Sequence, residues 1–128
     1  MAQSSYAERR RYPRVAGRLR IRVARDRQQV ATETVNVSCG GALCGLAESL
    51  LLMTRVRVAL ALPRRLVQCT GVVVRCAPVR RSAARGRYHV ALFFTKMSRA
   101  DHRAIAEFVL TSMFRHAPQE YRKFLKCN

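Results

Sequence analysis

Arg18-Leu19-Arg20-Ile21-Arg22-Val23, residues 18–23, sets arginine against aliphatic side chains in strict alternation. A period of two is what a half-buried β-strand imposes, with Leu19, Ile21 and Val23 facing a core and the three arginines facing water. This strand is expected to begin near Val15. Downstream, Val30 to Val37 is rich in β-branched residues and stops at Ser38-Cys39-Gly40-Gly41, where two glycines license a tight turn. Ala42-Leu43-Cys44 resumes a short apolar segment. Arg55 to Leu62 alternates again before Pro63, and Leu66 to Cys76 and Tyr88 to Phe94 are two more extended runs, with a Pro- and Arg-bearing loop expected over 77–86. About six short strands at this spacing point to an antiparallel barrel or sandwich.

The C-terminal quarter changes period. Ser98 followed three residues later by Asp101 reads as an N-cap pair, and Ile105, Phe108, Val109, Ser112 and Met113 fall on one helical face. A helix over about Arg99 to Arg115 is expected to pack one stripe on the barrel. Pro118 at a first-turn position, with Tyr121, Phe124 and Leu125 spaced i, i+3, i+4, suggests a second short helix. The chain therefore divides into a basic N-terminal arm (1–14), a barrel (15–97) and a helical segment (98–128).

At 128 residues and 49% hydrophobic, the chain supplies one core without disulfides or a structural metal. No apolar stretch approaches the roughly 20 residues that cross a bilayer, so no membrane insertion is expected. No secretory signal is visible and five cysteines form no CxxC pair, which makes them reduced thiols, mostly core, of a cytoplasmic protein. The formal charge is +18, from 22 Arg, 3 Lys and 7 acids. Such a field attracts polyanions, and arginine's planar fork suits phosphate and the guanine edge.

Two segments carry more than composition explains: Arg10-Arg11-Tyr12-Pro13-Arg14, two arginines four apart around a proline, and Asn36-Val37-Ser38-Cys39-Gly40-Gly41. Together they resemble the signature of the PilZ domain, a bacterial receptor for cyclic di-GMP, which pairs RxxxR on an N-terminal arm with (D/N)xSxxG at a strand end. Gly71-Val72-Val73-Val74-Arg75 is similar to the family's Gly-x-Val strand. Tyr88-His89-Val90-Ala91-Leu92-Phe93 is similar to the first six positions of its Tyr-x-Val-Gly-x-x-Phe strand, with Ala91 in the glycine slot. The resemblance implies a mainly β fold, a six-stranded antiparallel PilZ-like β-barrel with a C-terminal α-helix, and no enzyme activity.

It also implies a site. Arg10 and Arg14 would grip phosphate or the O6/N7 edge, or stack on a purine face. Asn36 would accept from the N1/N2 donor edge, more weakly than an Asp, and Ser38 would offer a hydroxyl to a phosphate or a guanine amine. Gly41 would keep a Cβ away from the ligand. In this family an arginine just before RxxxR, here Arg9, favours an intercalated dimer of cyclic di-GMP, hence two ligands per chain. Contacts of about 1–3 kcal/mol each approach the roughly 8 kcal/mol of a micromolar complex. The resemblance implies second-messenger signalling in motility or biofilm regulation, through an unidentified downstream protein.

Plainer readings stand beside these. The Asn36 to Gly41 segment is also what an ordinary hairpin turn needs, with Asn and Ser capping backbone amides. A basic nucleic-acid-binding barrel is the alternative from another class, although few aromatics and no helix-turn-helix pattern argue against specific nucleic-acid binding. A PilZ-like protein-interaction scaffold without ligand is the third. His89, His102 and His116 have no metal-like spacing, Ser38 has no recognisable base, and no phosphate-binding glycine loop is present. Cys39 lies beside arginines expected to lower its pKa, which would make it a candidate redox-responsive thiol. Phe114, Tyr121, Phe124 and Leu125 form the expected partner surface.

Overall fold

Alternation does produce strands where it is strongest, but their ends differ from those of the periodic runs. The structure, a computed structural model, describes residues 14–83, 86–119 and 122–123. Strands β1 (Val15–Ala16), β2 (Arg20–Arg25), β3 (Gln28–Val37), β4 (Gly41–Leu46), β5 (Arg55–Ala61), β6 (Leu66–Ala83) and β7 (Gly86–Lys96) precede helix α1 (Arg99–His116). All pairings are antiparallel in the order β1-β3-β2-β5-β6-β7-β4, and a further β3–β4 pairing closes six strands into a barrel with β1 as an extra strand on β3.

The expected strand from Val15 to Val23 is in fact broken at Gly17-Arg18-Leu19. Thr34, fully buried, fills the break: its Oγ1 accepts from Leu19 N at 2.9 Å and donates to Gly17 O at 2.5 Å. One hydroxyl thus satisfies both backbone groups that the interrupted ladder strands. The break lets β3 pair with β2 along its first half and β1 along its second. Asp26 in the left-handed region, φ 53°, turns the two-residue connection from Arg25 to Gln28.

The loop expected over 77–86 is largely strand. β6 runs to Ala83 and pairs β7 through Ala77–His89, Pro78–Tyr88 and Ala83–Gly86, with irregular register after Pro78. Proline is tolerated because β5 leaves β6 at Val72, so no neighbour asks Pro78 for an N–H on that side.

The core is filled by Ile21, Val23, Val37, Val58, Leu60, Val67, Val73 and Val90 from the strands and by Ile105, Val109 and Met113 from α1. Ser98 caps the helix as expected, its Oγ accepting from Asp101 N at 3.1 Å. Asp101 does not complete the reciprocal box. Its carboxylate takes Arg65 Nε at 2.7 Å and Gln68 N at 3.4 Å, tying α1 to the start of β6. The Arg65 hydrogen bond is the main reason the carboxyl sits below its ordinary 3.8, with Gln68 and Ser98 adding and burial opposing. Residues 118–119 and 122–123 are helical, and the rest of the expected second helix lies outside the described residues.

Candidate functional site

The sequence-marked residues meet through strand register. Val15 pairs with Val37 and Ala16 with Asn36, so Arg14, one residue before Val15, and Ser38, one residue after Val37, flank the same end of this pairing. Arg14 and the Asn36 to Gly41 segment, more than twenty residues apart in sequence, therefore meet at one edge of the barrel. Arg9 and Arg10 lie outside the described residues.

A β-bulge decides which way Asn36 faces. Thr34 pairs with Cys44 but Asn36 with Leu43, which leaves Val35 as the extra residue. Thr34 and Val37 are both fully buried, three apart where an undisturbed strand would bury every second residue. Without the bulge Asn36 would share the inward phase of Thr34. With it, Asn36 is half-buried on the outer side, where its neighbour across β1 is the exposed, small Ala16.

The turn after β3 is stiff. Ser38 N donates to Gly41 O at 2.8 Å, and Ser38 Oγ accepts from Gly40 N and Gly41 N, both at 3.2 Å. Phe94 N on β7 donates to Gly40 O at 2.8 Å. Ser38 is buried, so the plainer expectation for this residue, capping of turn amides, describes its hydroxyl here. The need for glycine at Gly41 is steric: a Cβ there would overlap the carbonyl oxygen of Leu92 on β7. The atoms that exclude a side chain are those of the neighbouring strand.

Gly41 pairs with Phe93, a residue that is 52% exposed. An aromatic ring beside a residue without a side chain is a bare apolar platform next to Arg14, Asn36 and Ser38 in the register. Phe93 does not stand out in the sequence as a site residue because it sits in an apolar strand next to Phe94, which is buried. The usable signal is the phase of β7, in which Val90, Leu92 and Phe94 point inward and Phe93 out.

Arg14 is exposed and engaged in an interaction of its own. Burial pushes the Cys39 thiol up, against the direction expected from nearby arginines, so the residue is a poor thiolate source. Cys44, fully buried, is pushed up to about 12 and Cys69 to about 11. Among the described residues no three His, Cys, Asp or Glu side chains are grouped to hold a metal. Phe114 is exposed on α1, while Tyr121, Phe124 and Leu125 lie outside the described residues. A trough of about 740 Å³ on the outer face of β2, β5 and β6, lined by Arg22, Arg57, Gln68 and Lys96, shares no residue with the motif turn. No helix among the described residues is long and apolar enough to cross a membrane.

Comparison with known proteins bears on this geometry. The PilZ domain family profile matches residues 8–111, which include both motifs. Among solved structures, the chain is similar to the Bacillus subtilis inhibitor of motility MotI/DgrA (TM-score 0.76, 21% identity, 84% of this chain and 52% of that one). It is similar to the PilZ domain of YcgR from Escherichia coli, solved with c-di-GMP (0.67, 15%, 90% and 98%). A third is MrkH, described as a c-di-GMP-dependent transcription regulatory factor (0.67, 18%, 85% and 52%). At these identities the likeness is one of fold. The chain spans about half the length of MotI and MrkH and nearly all of the isolated YcgR domain. No curated protein matches it by sequence.

Proposed function

The chain belongs to the PilZ domain family, and from that premise we propose that it is a receptor for cyclic di-GMP that passes the signal to a downstream protein. The observation that supports this reading is the register of β1 on β3, in which Arg14 and Ser38 flank the Val15–Val37 pair and Asn36 pairs with Ala16. Solved relatives with this fold include one whose PilZ domain was determined with c-di-GMP, and another is an inhibitor of motility.

On this reading Arg10 and Arg14 hold phosphates and guanine O6/N7 edges, and Asn36 accepts from a guanine N1/N2 edge. Ser38 acts first by shaping the turn. Its oxygen keeps the Gly40 and Gly41 amides oriented, and its hydroxyl proton, 3.4 Å from Gly41 O by heavy-atom distance, is loosely enough held to turn to a phosphate. Phe93 supplies a ring for a base to stack on. Arg9 adds the charge that a stacked, intercalated dimer of the dinucleotide requires, giving two ligands per chain. Residues 1–14 close over the ligand, and the changed surface is what the partner reads.

Calorimetric titration of cyclic di-GMP, with cyclic di-AMP and a short DNA duplex as controls at low and physiological salt, tests this. Selective binding at two ligands per chain is expected, with most affinity lost in Arg10→Ala and Arg14→Ala at unchanged melting temperature. Saturation at one ligand removes the role given to Arg9. Retained affinity in both arginine variants removes the site.

A further inference from the structure

Leu51, Leu52 and Met53, between β4 and β5, are 79%, 60% and 72% exposed. Single exposed aliphatics are ordinary, but three consecutive large ones are not. Nor is the segment loose. Thr54 N and Thr54 Oγ1 both donate to Leu51 O, at 3.2 and 2.6 Å. Val73 of β6 clamps the turn from the other side, accepting from Met53 N at 2.7 Å and donating to Thr54 O at 2.9 Å. Met53 is held at φ 69°, a left-handed conformation that a long side chain resists. Val74, next along β6, is half exposed. The backbone is thus pinned in an unfavourable shape whose result is to keep an apolar tip in water.

The surroundings of that tip are cationic. Arg55 follows it directly, Arg57 lies two residues on along the same outward face of β5, and Arg75 follows Val74; all three are exposed. Arg55 and Arg57 line a depression with Arg25 and Lys96 in which the one acid, Asp26, is paired with Arg25 at 3.7 Å. Glu48 is the acid on the loop leading to the tip.

We propose that this turn is a wedge for peripheral attachment to an anionic lipid bilayer. Leu51, Leu52 and Met53 enter the zone between headgroups and acyl chains, while Arg55, Arg57 and Arg75 meet lipid phosphates. Charge selects this occupant over a second copy of the chain, because two copies meeting tip to tip bring like arginine rims together under a net charge of +18 each. Phosphate-bearing lipid neutralises the same rim. A three-residue wedge lies far below the length of a membrane span, which is why hydropathy does not register it. The inference uses no residue of the proposed ligand site and stands or falls apart from it.

Flotation of the full chain with phosphatidylcholine vesicles, with and without phosphatidylglycerol, at low and high salt, tests the wedge. Partitioning onto the anionic vesicles alone is expected, with a fraction surviving high salt. The triple variant Leu51→Ser, Leu52→Ser, Met53→Ser is expected to lose roughly tenfold or more in partitioning, since apolar area drives that part. Its melting temperature and cyclic di-GMP titration should match the parent, which separates this test from that of the ligand site. Undiminished partitioning of the triple variant overturns the proposal by leaving charge alone as the cause. Absence of partitioning by the parent overturns it too and leaves the tip to an apolar groove on a protein.

Discussion

Two turns of this barrel solve the same mechanical problem with opposite chemistry. Ser38–Gly41 and Leu51–Thr54 are both tight, each closed by a hydroxyl bonding back into its own turn and each pinned to a neighbouring strand, the first to β7 through Phe94 and the second to β6 through Val73. The first is polar, glycine-bearing and set beside Arg14. The second holds three apolar side chains in water on a strained backbone. Rigidity in itself therefore says nothing about ligand; what each turn displays does. The first is shaped by what it must avoid, a clash with β7, and the second by what it must present.

The comparison breaks most severely at Gly41. Gly41→Ala places a Cβ against Leu92 O, and the strand must shift. A loss of about 3 kcal/mol is expected in urea unfolding, with cyclic di-GMP affinity falling alongside. The helix seam supplies a reference outside both turns. Asp101→Asn should cost about 1–2 kcal/mol at neutral pH, discounted because Arg65 is half exposed. Because the folded carboxyl sits below 3.8, its stabilisation is complete at neutral pH and is lost as pH falls through the folded value. The Asn variant should lose that part of the acid sensitivity, visible as a flatter pH profile of the unfolding midpoint below about pH 4.

The hydroxyls sharpen the contrast. Ser38→Ala strips two partly buried turn amides of their acceptor and is expected to cost about 1 kcal/mol, whereas Thr54→Val, in a more exposed turn, should cost roughly half that. The smallest effect has the opposite sign. Met53→Gly relieves a left-handed backbone and should raise stability by about 0.5 kcal/mol while weakening vesicle partitioning. A destabilised Met53→Gly would mean the side chain packs rather than projects.

The two turns also differ in how far they can be read from sequence. Asn36, Ser38 and Gly41 announce themselves because a polar hairpin and a nucleotide site use the same few residue types. Leu51-Leu52-Met53 carries no such mark, and only its exposure singles it out. The same divide runs through the fold. Arg20 to Val23 and the Ser98 cap are local signals and mark real elements. The break filled by Thr34, the bulge at Val35, the strand running through Pro78 and the turning of Asp101 onto Arg65 depend on partners distant in the chain, so no local window holds them. Gly41 was legible as a required glycine, but its reason was not, since Leu92 lies on another strand. Phe93 was hidden in the same way.

Amide chemical-shift mapping of the full chain titrated with cyclic di-GMP tests the central claim most directly. Large shifts are expected at Asn36, Gly40, Gly41 and Phe93, at the ends of β1 and β3, with Leu51 to Thr54 unmoved. Shifts centred on the trough of Arg22, Arg57 and Lys96, with the Asn36–Gly41 amides silent, would contradict it.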